Sequence, residues 1–123
     1  MVEQTVYTAG VGKCRVDLMV SMTGDGLVAQ LYGGDKPHVG AVAISLPRPS
    51  LSNPAKVSCN TSILPMLGHK DDEIAKPIAE EIAKSFGKPA VVIAGLHVDN
   101  AGPELIKEIV GNCYCVVRML TKL

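Results

Sequence analysis

Three short stretches collect the residues best suited to hold a ligand: Gly33-Gly34-Asp35-Lys36-Pro37-His38, Gly68-His69-Lys70-Asp71-Asp72 and His97-Val98-Asp99-Asn100. All three histidines of the chain fall in these polar segments. Imidazole can titrate, ligate a metal or hydrogen-bond, so residue type alone does not choose among the three. Adjacent glycines let a backbone come close to a ligand, and Lys36 adds a cation beside a proline-stiffened corner. At the second stretch a helix is expected to begin. Its free N–H groups together with Lys70 make an anion site suited to a phosphate. The carboxylates of Asp71 and Asp72 oppose a bare phosphate there unless a divalent cation lies between, and His38 with His69 are the residues that would ligate one. Each stretch also has a plainer reading, as a turn, an N-cap or the lead-in to a helix.

Other chemistry finds little support. Gly10-Val11-Gly12-Lys13-Cys14 resembles the tail of a phosphate-binding loop, but the upstream glycine is missing and Cys14 stands where Ser or Thr would bind magnesium. No GxSxG, HExxH, GxGxxG or CxxC occurs, which leaves the common hydrolase, zincin, dinucleotide and zinc-ribbon readings without a basis. Cys113 and Cys115 on one helix would point to different sides, so they read as packing residues rather than metal ligands.

The elements that must position the three stretches follow from hydrophobic period. Cys14 to Met22 alternates as a half-buried strand, Thr23 to Gly26 turns it, and Leu27 to Tyr32 returns as a hairpin arm. Val39 to Leu46 reads as the next strand, with the small Ala41, Ala43 and Ser45 opposite Val42, Ile44 and Leu46. Pro47, Pro49 and Pro54 then mark a loop, and Val57 to Ile63 alternates again. Residues 71–86 form an amphipathic helix closed by Gly87, with Lys76, Glu80, Glu81 and Lys84 outward; Pro77 should kink it or split off residues 71–76 as a separate turn. Ala90 to Leu96 is continuously apolar, as in a central strand covered on both faces. Pro103 opens a last helix to about residue 121, although Gly111 and the β-prone Tyr114 to Val117 leave a strand there as the alternative. The expected fold is α/β: an antiparallel meander followed by helix, strand and helix, in two or three layers.

Composition narrows the class. The 123 residues suit one domain, 1–123. Twelve basic residues balance twelve acidic ones, which removes the electrostatic footprint of a nucleic-acid or membrane-surface binder. Aromatics make up only 3% of residues, too few for a base-stacking platform, so the core must be aliphatic. No apolar run is long enough to span a bilayer and no secretory leader opens the chain, so cytoplasmic residence with four reduced cysteines is expected.

The strings GGDKPHVGAVAISLPRPSL and LGHKDDEIAKPIAEEIAKSFGKPAVVIAGLHVDNAGPELIKEIV resemble the prenylated-flavin chaperone family, the LpdD-like proteins associated with gallate decarboxylase. The likeness spans about residues 30–110. It implies a fold related to proteasome-assembly chaperones, a homodimer, and binding of prenylated flavin mononucleotide on behalf of a UbiD-type decarboxylase. By position, Gly33, Gly34, Asp35, Lys36 and His38 match the first motif, His69, Lys70 and Asp71 the second, and His97, Asp99 and Asn100 the third. From the residues themselves, Lys36 or Lys70 and the helix start at Asp72 would hold the phosphate, and the small face of Ala41, Ala43 and Ser45 would admit the flat ring. No nucleophile–base pair is legible, so a non-catalytic carrier leads. A metal-assisted enzyme acting on the flavin and a protein-assembly chaperone without a small-molecule ligand are the alternatives.

Overall fold

A computed structural model describes residues 2–66 and 71–122. In it, strands β1 (Glu3–Ala9), β2 (Val16–Met22) and β3 (Leu27–Gly34) form the antiparallel meander. Strands β4 (Ala41–Pro49) and β5 (Val57–Pro65) form a second hairpin. Helix α1 (Asp72–Phe86) leads to β6 (Ala90–His97), and helix α2 (Pro103–Thr121) ends the described chain. The described strands make one sheet in the order β1-β2-β3-β6-β4-β5. Thus β6 enters between the two hairpins, parallel to β3 and antiparallel to β4.

Both helices lie on one face of that sheet, α1 over β4, β5 and β6 and α2 over β1 and β2. The alternation sorts side chains accordingly: Val16, Leu18, Val20, Leu31 and Val92 meet Ile78, Ile82, Val116, Val117 and Leu120 in an aliphatic core closed to solvent. The expected small face of Ala41, Ala43 and Ser45 is fully buried. It is small because α1 packs on it.

Several expectations change. β1 is not foreshadowed by the sequence, which alternates too weakly there to stand out from a polar N-terminus. Cys14 belongs to a short 3-10 turn, Gly12–Cys14, rather than to β2. β4 runs through Pro47 to Pro49, because its pairing with β6 ends at Ser45 and no ladder bond to β6 is needed from the proline nitrogens beyond. α1 is a single helix with Pro77 inside it, and Gly87 closes it in the left-handed region at φ 63°. Glu80 is half-buried rather than solvated: it accepts a 2.7 Å hydrogen bond from the Thr61 hydroxyl on β5. α2 continues as helix through Tyr114 to Val117, where its buried residues keep helical spacing. All four cysteines are free.

β6 is central but covered on one face only. Val91 and Ile93 look out from the uncovered face with their neighbours in register, Val28, Val91 and Ile44 in one row and Gln30, Ile93 and Val42 in the next, so Gln30 is the one polar side chain among these six. This apolar face is the exception to the usual polar exterior of a one-sided sheet. No helix among the described residues is long and apolar enough to cross a membrane.

Candidate functional site

Topology decides where the loops go. β3, β6 and β5 are mutually parallel, so their carboxyl ends share one edge of the sheet. The first motif follows β3, the second follows β5 and the third follows β6. The β3–β4 connection must also pass over the end of β6 to reach its strand on the far side. Ligands in such sheets collect outside the carboxyl ends of strands.

The crossing is tight. Gly40 N–H donates to the Ala94 carbonyl at 2.9 Å, and the amides of Asp35 and Lys36 both donate to the His97 carbonyl, at 2.7 and 3.3 Å. Gly95 lies directly beneath the His38 carbonyl, where a Cβ has no room. Gly34, at φ 83°, lies against the His97 backbone, and Gly33 against the Arg15 carbonyl. The clearance that these two glycines provide is therefore taken up by the protein's own main chain.

Asp71 ties the junction together. Its side chain is 7% exposed and makes no N-cap hydrogen bond. One carboxylate oxygen accepts from the Leu96 amide at 3.0 Å, and the other lies 3.0 Å from His38 Nε2. His38 Nδ1 lies 2.9 Å from the Lys36 carbonyl. Both ring partners are oxygen acceptors.

A second cluster lies outside it. Lys36 Nζ reaches Asp99 at 3.1 Å, His97 Nε2 lies 2.9 Å from the same carboxylate, and the Asp99 amide donates to Asp35 at 3.3 Å. The hydrogen bond from His97, then that from Lys36, holds the Asp99 carboxyl below the usual aspartate range. Because folding lowers this pKa, the tie contributes stability above the ordinary aspartate range and loses it as pH falls through the folded value. The stability gap between wild type and Asp99→Asn should therefore be present at neutral pH and shrink below about pH 3.8, the unperturbed value. Urea titrations at several pH values read this directly, and a gap independent of pH would refute it. Asn100 takes φ 54°, a left-handed conformation that asparagine tolerates.

Residues near 35–38, 71 and 97–99 are thus brought together, with the His38 and His97 rings 6.5 Å apart. Gly68, His69 and Lys70 lie outside the described residues, so the His69 and Lys70 expectations have no structural account. Among the described residues no group of three or more His, Cys, Asp and Glu is placed to hold a metal ion.

Beside the junction, between the start of α1, the end of β6 and α2, opens a cleft of about 540 Å³. Leu96, Ile74, Ile109 and Val110 give it apolar walls, and Asp71, Glu73 and His97 its polar margin. Sequence reasoning placed these α2 residues on a helix and gave them no part in a site. The available signal was that Ile106 and Val110 belong to an apolar stripe wider than the sheet covers, and they are 51% and 37% exposed. Cys113, which also lines the cleft, has its thiol pushed up to about 12, chiefly by burial and then by the Asp71 charge; it stays a neutral thiol and not a nucleophile.

The model of the prenylated flavin chaperone LpdD-like domain matches residues 10–123. The chain belongs to that family. The match takes in all three loops and both helices and leaves out β1. The fold of this LpdD-like chain is similar to one chain of a structure described as a novel chaperone complex for yeast 20S proteasome assembly. The two share 16% identity over 97% of this chain and 92% of that one, with a TM-score of 0.59, a likeness of fold. No curated protein matches this member of the prenylated-flavin chaperone family. Within the family's fold, the face of Ala41, Ala43 and Ser45 is closed by α1 and cannot admit a flat ring, contrary to the expectation from its small side chains.

Proposed function

We propose that this protein is a single-domain, cytoplasmic carrier that binds prenylated flavin mononucleotide at the three-loop edge of the sheet and passes it to a UbiD-type decarboxylase. The observation that carries the reading is the junction itself: Lys36, His38, Asp71, His97 and Asp99 interlock at one strand-end edge, beside a cleft within the usual ligand-pocket range of roughly 300–1,000 Å³. The residues fit the group in kind. Lys36, 66% exposed at its side chain and held by Asp99, offers the cation for the phosphate, and the cleft offers apolar surface for a ring. The flavin itself would supply the ring chemistry that the recipient uses. The carrier's own residues bind, orient and exclude water, and the protonated Cys113 offers the ring no thiolate.

The homodimer is supported by the uncovered sheet face. Val28, Ile44 and Leu46 are 38–45% exposed in the single chain and continue into the half-buried Val42, Val91 and Ile93. Two such faces packed together would bury aliphatic area that water otherwise covers. One sizing-column experiment tests both parts. Protein mixed anaerobically with reduced prenylated flavin and then aired should elute near twice 12.9 kDa carrying visible absorbance. A colourless peak overturns the carrier reading, and a coloured peak at monomer size overturns the dimer alone.

A further inference from the structure

The cleft and the corner that carries Lys36, where the ammonium is paired with Asp99, differ in chemistry. Lys36, His38 and His97 surround a shallow recess on the crossing loop, whereas among the described residues the cleft is lined by no lysine or arginine. Its charged members are the carboxylates Asp71 and Glu73 at the α1 start, which disfavour a phosphate. Tyr114, at the α2 side, has its hydroxyl pushed further toward the protonated form, by burial first and then by Glu81. His97 lines both spaces. An apolar pocket with a few polar groups at its margin holds uncharged ring and hydrocarbon surface. A ligand served by both spaces has an anionic end and a hydrocarbon end.

We infer that the cleft between α1 and α2 is the specificity element of the site: it takes the hydrocarbon-bearing end of the flavin, with Ile74, Leu96, Ile109 and Val110 as the contact surface, and so favours the prenylated over the unmodified flavin. The inference rests on flavin binding by this chain. The prenyl group adds a saturated, uncharged ring to a flavin and leaves its phosphate unchanged. Contacts in the cleft therefore separate the two ligands, while contacts at Lys36 serve both alike.

The test compares full-length wild type, Val110→Trp and Lys36→Gln for binding of flavin mononucleotide and of reduced prenylated flavin, by anaerobic titration with fluorescence and thermal-shift readouts. Val110 is partly exposed, so tryptophan fills cleft volume without entering the core, and the unliganded melting temperature reports whether the fold is intact. Val110→Trp is expected to weaken prenylated-flavin binding about tenfold or more and unmodified-flavin binding less than twofold; Lys36→Gln is expected to weaken both equally. Ile106→Trp, on the same helix face, should repeat the selective loss. Equal loss of both flavins, or no loss of either, in both tryptophan variants overturns the inference while leaving flavin binding standing. If wild type binds neither flavin, the carrier reading falls and the inference with it.

Discussion

Adding one methyl group at Gly95 should cost this protein about 3 kcal/mol or more of folding stability, the upper end of what overpacking usually does. The reason is the crossing of the β3–β4 connection over β6. A Cβ at Gly95 would occupy the position of the His38 carbonyl, and neither partner is a flexible side chain that can swing aside. Relief requires lifting the 35–40 segment away from β6. That movement would strain the Gly40–Ala94 bond, the paired amides on the His97 carbonyl and the His38–Asp71 contact together. Gly111→Ala is the control. It lies within α2, where a Cβ meets nothing within 4 Å, and alanine there should stabilise by about 0.5–1 kcal/mol. Urea unfolding of the two variants should thus move in opposite directions. A Gly95→Ala protein as stable as wild type would show that the loop does not lie on the strand.

Removing the Asp71 carboxylate should come next in size, about 3 kcal/mol for Asp71→Ala. The side chain is buried and satisfies groups from two other elements, the Leu96 amide on β6 and the His38 ring on the crossing loop. Truncation leaves a buried N–H without its acceptor and a ring nitrogen without its partner, and stranded polar groups account for most of the cost of breaking such contacts. Asp71→Asn keeps one oxygen for Leu96 and should lose about half as much. Both variants should lose retained flavin absorbance more than stability alone explains, because the crossing loop that carries Lys36 is no longer anchored. An Asp71→Ala protein within about 0.5 kcal/mol of wild type, with full flavin retention, would remove Asp71 from this role.

Much of the architecture could be read from hydrophobic period alone. Val16, Leu18 and Val20 alternate as strands do, and Ile74, Ile78 and Ile82 repeat as helices do, so β2 and α1 were legible. β1 was not, because only Val6, Tyr7 and Ala9 relieve its polar sequence and its edge position demands little burial. The insertion of β6 between the hairpins is a matter of non-local pairing that no local pattern encodes. The meeting of the 35–38, 71 and 97–99 stretches follows from strand direction, which sets the ends of β3, β5 and β6 at one edge. What sequence could not convey was the division of labour around them. Asp71 reads as an N-cap by position but is spent on the junction, and the small face of β4 reads as a ligand bed but receives α1. In both cases the partner comes from a distant element, and composition alone does not say which neighbour a small or polar residue serves.

The placement of β6 also sets the order in which the chain can mature. During synthesis the first five strands emerge as two separate ribbons with a strand-wide slot between β3 and β4, each side of it a row of unsatisfied amides and carbonyls. Only when residues 90–97 have left the ribosome can the slot be filled, and the arch of the β3–β4 segment then settles over the newcomer's end. A nascent chain stalled before that point exposes two aggregation-prone borders, so this member of a chaperone family is itself dependent on a late, long-range closure.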